Sequence, residues 1–237
     1  MDTAGKTAVA VRRWERAFRQ PLATAHGTWS VQEGLYLQAH TESGPRYAEV
    51  SPLPDFGTET LAAAIACLAE GGSLDDRTPK AGPALAFGLS CLREPVPEAD
   101  LGVTVATAAL LGRPDTTAAL AAAREGFRVL KLKVGVGEAI DEIAAVEAVL
   151  RALPGEVSLR LDANAGLDAA ALDRWLAAAA RWPVDVFEQP LAPGREAEMA
   201  AAAQAAGVPL AFDESVARLA DLARLVGAFP GVTMVVK

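Results

Sequence analysis

Val157-Ser158-Leu159-Arg160-Leu161-Asp162 is a short, largely apolar run that closes on a charged residue, and the pattern returns three times downstream. Val184-Asp185-Val186-Phe187 runs into Glu188, Val208-Pro209-Leu210-Ala211-Phe212 into Asp213, and Val232-Thr233-Met234-Val235-Val236 into Lys237. These four charged residues stand 26, 25 and 24 positions apart, the length of one strand, one helix and two short loops. One unit upstream, Val129-Leu130-Lys131-Leu132-Lys133-Val134 sets two lysines two residues apart, and therefore on one face of a strand. Polar residues delivered from successive strand ends meet at one mouth of a (β/α) barrel, where that fold keeps its chemistry.

The flanking sequence extends the pattern in both directions. Strands at 103–110, 128–134, 157–161, 184–187, 208–212 and 232–236 alternate with helices at 115–125, 137–153, 168–181, 195–206 and 215–227. Alanine-rich helices such as 169–180 need no special account, because alanine is the best helix former. Before residue 100 the alternation is absent. Thr7–Phe18, Glu33–His40 and Glu49-Val50 read as strands, 51–57 as a loop, Thr58 as the N-cap of a helix through Ala69, and 83–92 as a second helix. The chain is expected to divide into an α+β domain at 1–100 and a (β/α) barrel region at 101–237.

Composition excludes several classes of function. The chain has 237 residues, 51% hydrophobic and 22% charged, enough to bury a large core. A net charge of −8 with no basic stripe argues against a nucleic-acid partner. The start lacks the basic-then-apolar run of a signal peptide, and no charge-free apolar segment reaches 18 residues, so a cytoplasmic protein without a membrane partner is expected. Cys67 and Cys91, in apolar helical stretches, read as buried thiols.

Taken together, Lys131-Leu132-Lys133, Asp162-Ala163-Asn164, Glu188-Gln189-Pro190, Asp213-Glu214-Ser215 and Lys237 resemble the enolase superfamily in its muconate-lactonizing branch. Within that branch, 48–54 (Ala-Glu-Val-Ser-Pro-Leu-Pro) and 83–91 (Pro-Ala-Leu-Ala-Phe-Gly-Leu-Ser-Cys) are similar to the o-succinylbenzoate synthase family more than to its racemases and epimerases. The resemblance implies an N-terminal α+β capping domain ahead of the barrel, with Asp162, Glu188 and Asp213 as Mg²⁺ ligands. It implies catalytic roles for Lys133 as the base, Lys131 as its neighbour and Lys237 as a cation on the opposite side of the mouth. The implied reaction is syn elimination of water from a cyclohexadiene carboxylate through an enediolate, giving o-succinylbenzoate for menaquinone biosynthesis. A dipeptide epimerase or N-acylamino acid racemase is the alternative, with Lys133 and Lys237 on opposite faces of the α-carbon. Either way the partner is a small carboxylate.

The residues support that chemistry on physical grounds. Three carboxylates and Asn164, with no cysteine or histidine among them, form an oxygen-rich set suited to Mg²⁺ rather than zinc. A divalent cation would stabilise the enediolate left when a proton is taken from beside a carboxylate. The base must be neutral to act, and a lysine beside Lys133 is expected to lower its pKa through like charge. Singly, each motif has a plainer reading: a KxK as a solvated strand edge, a DxN as a turn, Asp162 or Asp213 as a helix cap. Asn164 and Glu214 remain open between supporting and capping roles, His26 and His40 carry little signal, and Trp29 is placed in a loop where it could line a pocket or simply pack.

Two features depart from the family pattern. Ala165-Gly166-Leu167 stands where an aromatic residue often follows the DxN. The countable strands number six, against the eight of a closed barrel, so the chain is expected to belong to a longer protein or to be a catalytically incomplete piece of one.

Overall fold

The computed structural model describes residues 8–24, 27–41, 44–70, 80–93 and 105–236. Two compact units divide at residue 102.

In the first unit, β1 (Val9–Thr24), β2 (Gly27–Thr41) and β3 (Gly44–Val50) form an antiparallel sheet in that order. Odd-numbered residues of β2 turn Leu35, Leu37 and Ala39 to one face, and with Val50 they meet two helices, α1 (Leu61–Ala69) and α2 (Pro83–Arg93). Those helices contribute Ala64, Leu68, Leu85, Leu89 and Leu92 to the same core. On the other face the Trp14 ring lies over Gly34, where an added Cβ would come within 2.5 Å of it. The strands are longer than expected from the sequence: β2 begins at Gly27 rather than Glu33, and β3 at Gly44 rather than Glu49. Cross-strand pairing recruits the polar flanks, with Trp29 opposite Leu22 and Tyr47 opposite Gln38, so Trp29 sits on a strand and not in a loop. The cap of α1 is also corrected. Thr60 accepts the Ala63 N–H at 3.2 Å, whereas Thr58 takes the Leu53 N–H at 2.6 Å and closes the preceding turn. Cys67 and Cys91 are free and only half-buried.

In the second unit six parallel strands follow chain order: β4 (Ala109–Leu111), β5 (Val129–Lys133), β6 (Ser158–Asp162), β7 (Val184–Glu188), β8 (Leu210–Phe212) and β9 (Thr233–Met234). The crossovers are α3 (Thr116–Arg124), α4 (Ala139–Ala152), α5 (Ala169–Ala179), α6 (Glu196–Ala206) and α7 (Leu219–Ala228). Asp115 caps α3 and Asp168 caps α5, each through a side-chain oxygen on first-turn amides. Alternation along β5 decides what reaches the site: Leu130 and Leu132 are buried beneath the helices, while Lys131 and Lys133 face the other way. The buried layer continues through Leu159, Leu161, Phe187 and Phe212, with Trp175 packed edge-on to Trp182 at 6.3 Å. Between Leu159 and Arg160 the β6–β7 register shifts, and Asp185 takes a 2.6 Å ion pair from Arg160 Nη2. Among the described residues no helix is long and apolar enough to cross a membrane.

Candidate active site

Strand register brings Lys133, Asp162 and Glu188 together among the described residues. Lys133 pairs with Asp162 across β5–β6, and Asp162 with Glu188 across β6–β7. Asp213 follows the last residue of β8 directly. The three carboxylates are 2%, 2% and 5% exposed, in the order Asp162, Glu188, Asp213, and anionic groups so buried require compensating charge. Lys131 supplies part of it: its Nζ lies 2.8 Å from both Glu188 oxygens and 2.9 Å from Asp162 Oδ2. Burial lowers the Lys131 pKa, but its bonds to Glu188 and Asp162 more than reverse this, and the ammonium is held charged. Burial, followed by the nearby charge of Asp162, pushes Glu188 up to about 7 against the opposing pull of Lys131. One lysine therefore does not satisfy the site, which retains excess negative charge.

The expected role of Lys131 changes accordingly. Its positive charge is directed at two carboxylates and is not a bare like charge beside Lys133. Lys133 Nζ instead donates to Asn164 Oδ1 at 2.7 Å. Asn164 in turn donates from Nδ2 to Glu214 Oε1 at 3.2 Å, and its backbone N–H meets Asp162 Oδ1 at 3.1 Å. Asn164 and Glu214 thus belong to the site rather than to helix caps. The Glu214 pKa is raised by burial and then by Asp213, and its Oε2 is buried without a hydrogen-bond partner among the described residues. Lys237 lies outside the described residues, as does His26. His40 is exposed on β2. Trp29 donates from Nε1 to Asp55 Oδ2 at 3.2 Å and lines an open groove of about 400 Å³ in the first unit, with Pro52, Leu53 and Leu61.

Gln189 was quoted in the sequence motif without a role, and the structure supplies one. Fully buried, it accepts the Asp213 N–H at 2.9 Å and the Ser215 N–H at 3.2 Å on Oε1. Its Nε2 donates to the Leu191 carbonyl and to Ser215 Oγ, each at 2.9 Å. The residue beside one carboxylate ligand candidate thereby fixes the backbone of another. Its sequence signal was a neutral amide in a buried run, directly after a strand-end carboxylate. Gln189→Ala would leave two buried amides without an acceptor. It should lower unfolding stability by about 2–4 kcal/mol, read from urea denaturation curves at unchanged slope.

Backbone strain gathers at the same mouth. Asn164, Ala165 and Gln189 adopt φ of 44°, 62° and 36°, in the left-handed region that side chains disfavour. Hydrogen bonds hold them there: the N–H groups of Ala163, Ala165 and Leu167 donate to the carbonyls of Glu188, Gln189 and Pro190.

The oxygen-only donor set fits Mg²⁺ in kind and in charge. Among the described residues no three His, Cys, Asp or Glu side chains close into a ready-made metal cluster, and Lys131 Nζ pairs with both Asp162 and Glu188.

Comparison with known proteins places this geometry. Residues 115–229 match the family described as enolase C-terminal domain-like. An o-succinylbenzoate synthase of Thermosynechococcus vestitus is 36% identical over 235 aligned positions, which span 93% of this chain and 72% of that protein. The chain belongs to the o-succinylbenzoate synthase family. A second relative of that name, from Pectobacterium atrosepticum, is 34% identical, with 87% of this chain and 65% of its own length covered. The crystal structure of o-succinylbenzoate synthase from Thermosynechococcus elongatus BP-1, complexed with Mg in the active site, superposes with a TM-score of 0.80 at 34% identity. That match covers 94% of this chain and 73% of the other. The chain thus spans about two thirds to three quarters of the o-succinylbenzoate synthases it matches. The fold is that of the enolase superfamily, an α/β architecture with a parallel sheet and helices.

Proposed function

We propose that this protein is a Mg²⁺-dependent lyase that dehydrates a cyclohexadiene carboxylate to o-succinylbenzoate, in the cytoplasm and for menaquinone biosynthesis. The observation that carries the reading is Lys133 on β5, held by Asn164 beside strand-end carboxylates, in a chain of this family.

Asp162, Glu188 and Asp213 would hold the metal. Bound Mg²⁺ supplies positive charge where the substrate carboxylate gains negative charge. Lys133 Nζ, as the neutral amine, takes the α-proton, and the C–H electron pair becomes conjugated with the carboxylate. The pair then forms the ring double bond as the C–O bond breaks, and the Lys133 ammonium returns its proton to the departing hydroxide, which leaves as water. One base on one face suffices for both transfers, which is what syn elimination requires. Asn164 orients that base, and Lys131 offsets the charge of Asp162 and Glu188. Lys237 is assigned the role of a cation that stabilises the conjugated intermediate.

The test uses Lys237→Arg, which keeps the cation but cannot act as a base. Dehydration of the cyclohexadiene carboxylate should persist at a reduced rate. Both enantiomers of an N-succinyl amino acid serve as the racemase substrate. Efficient racemisation by the unsubstituted protein together with no dehydration would overturn the proposal.

A further inference from the structure

Every amide from Val134 to Gly137, directly after Lys133, has an acceptor. The Val134 N–H donates to the Asp162 carbonyl at 2.9 Å, across the β5–β6 ladder. The next three converge on a single side chain: Gly135 donates to Glu142 Oε2 at 2.7 Å, and Val136 and Gly137 donate to Glu142 Oε1 at 3.0 Å each. Glu142 lies in the first turn of α4, whose N-cap residue Glu138 makes no side-chain capping bond among the described residues. The Glu142 carboxylate therefore faces three amide dipoles and the positive end of a helix.

This clamp bears on the base through the neighbouring loop. Gly135 has φ +78°, and a Cβ there would lie 2.6 Å from Leu167 Cδ2. A Cβ on Gly166 would come within 3.2 Å of the Gly135 carbonyl oxygen. The β5–α4 loop is thus pressed against the β6–α5 loop, which carries Asn164, the acceptor for Lys133 Nζ. Two glycines in the three clamped residues would leave the segment loose without Glu142.

We propose that Glu142 is a positioning residue for the reaction: by clamping the β5–α4 loop against the β6–α5 loop it keeps Lys133 Nζ on Asn164 and aimed at the α-proton. The inference rests on the reading of Lys133 as the base. Glu142 itself touches no reacting atom. Its effect comes from geometry, because displacing a catalytic group by about 1 Å can cost about 10²-fold in rate.

Glu142→Gln and Glu142→Ala test it, with Lys133→Ala alongside. Glutamine keeps one oxygen for two of the amides and turns a donor towards the third, whereas alanine removes all acceptors. Amide hydrogen exchange at 135–137, Mg²⁺ titration of the metal-free protein, and kcat and KM for the cyclohexadiene carboxylate are measured on each variant. Exchange at 135–137 should quicken from wild type through glutamine to alanine. The kcat should fall by about 10-fold and about 10²-fold respectively, while KM and Mg²⁺ affinity stay within about twofold. Faster exchange with unchanged kcat, or a parallel loss of Mg²⁺ affinity, would overturn the inference in favour of a purely structural clamp. Should the alanine variant not fold, the glutamine variant decides by the same readings. Wild-type turnover in Lys133→Ala would overturn the base assignment itself, whereas a slow Lys133→Ala beside a fast Glu142→Ala removes only the role of Glu142.

Discussion

Lys133→Ala should lower the dehydration rate by about 10²–10⁴-fold, the range that a positioned general base contributes. Among the described residues no equivalent group reaches that place. Lys131, on the same face of β5, has its Nζ engaged by Glu188 and Asp162 and is held charged, so it cannot take over as a base. Loss of the Lys133 amine leaves the carboxylates and Lys131 in place, so Mg²⁺ affinity and the unfolding midpoint should change little. Exchange of the substrate α-proton with deuterated solvent reads the first step directly. Exchange at the wild-type rate in Lys133→Ala would show that another residue removes the proton. Lys131→Ala would act differently, by stripping two buried carboxylates of their shared cation, and should show first as lost stability rather than as a lost proton-transfer step.

Asp213→Asn should weaken Mg²⁺ binding by at least about tenfold and abolish activity while the fold persists, because a carboxylate ligand supplies charge as well as an oxygen. The Asp213 backbone stays tied to Gln189, which confines the change to the side chain. Calorimetric titration of the metal-free protein measures it, and unchanged affinity would remove Asp213 from the ligand set. The same titration carries a pH signature. Glu188 is pushed up to about 7, so below that value its proton competes with the metal. Affinity should rise as pH climbs from 5 to about 7 and level off above. The proton released per metal bound should fall away over the same interval.

The barrel was legible because its signals are local. Strands β5, β6 and β7 each end on a residue whose charge has no place in a core and β8 is followed directly by another, so strand order and strand-end register could be read by counting from Asp162 to Glu188 to Asp213. The first unit was harder to bound. Its hairpin strands extend through polar residues such as Gln32 and Arg46, which the ladder recruits by cross-strand pairing and not by any periodicity of their own.

What the sequence determined by itself is the set of chemical groups and the face each occupies, since a two-residue period puts Lys131 and Lys133 together whatever surrounds them. Only the tertiary structure decided how those groups divide the work. Both lysines leave the same strand, yet Lys131 meets Glu188, 57 residues away in sequence, and Lys133 meets Asn164, 31 residues away. Glu142 stands in no motif and Gln189 stands in one that gives it no role, because their function is to satisfy backbone amides of loops whose shape exists only once the strands have paired. Outside helix caps and tight turns, a side chain that binds another residue's backbone leaves no fixed pattern in the sequence, since every residue except proline offers the same N–H.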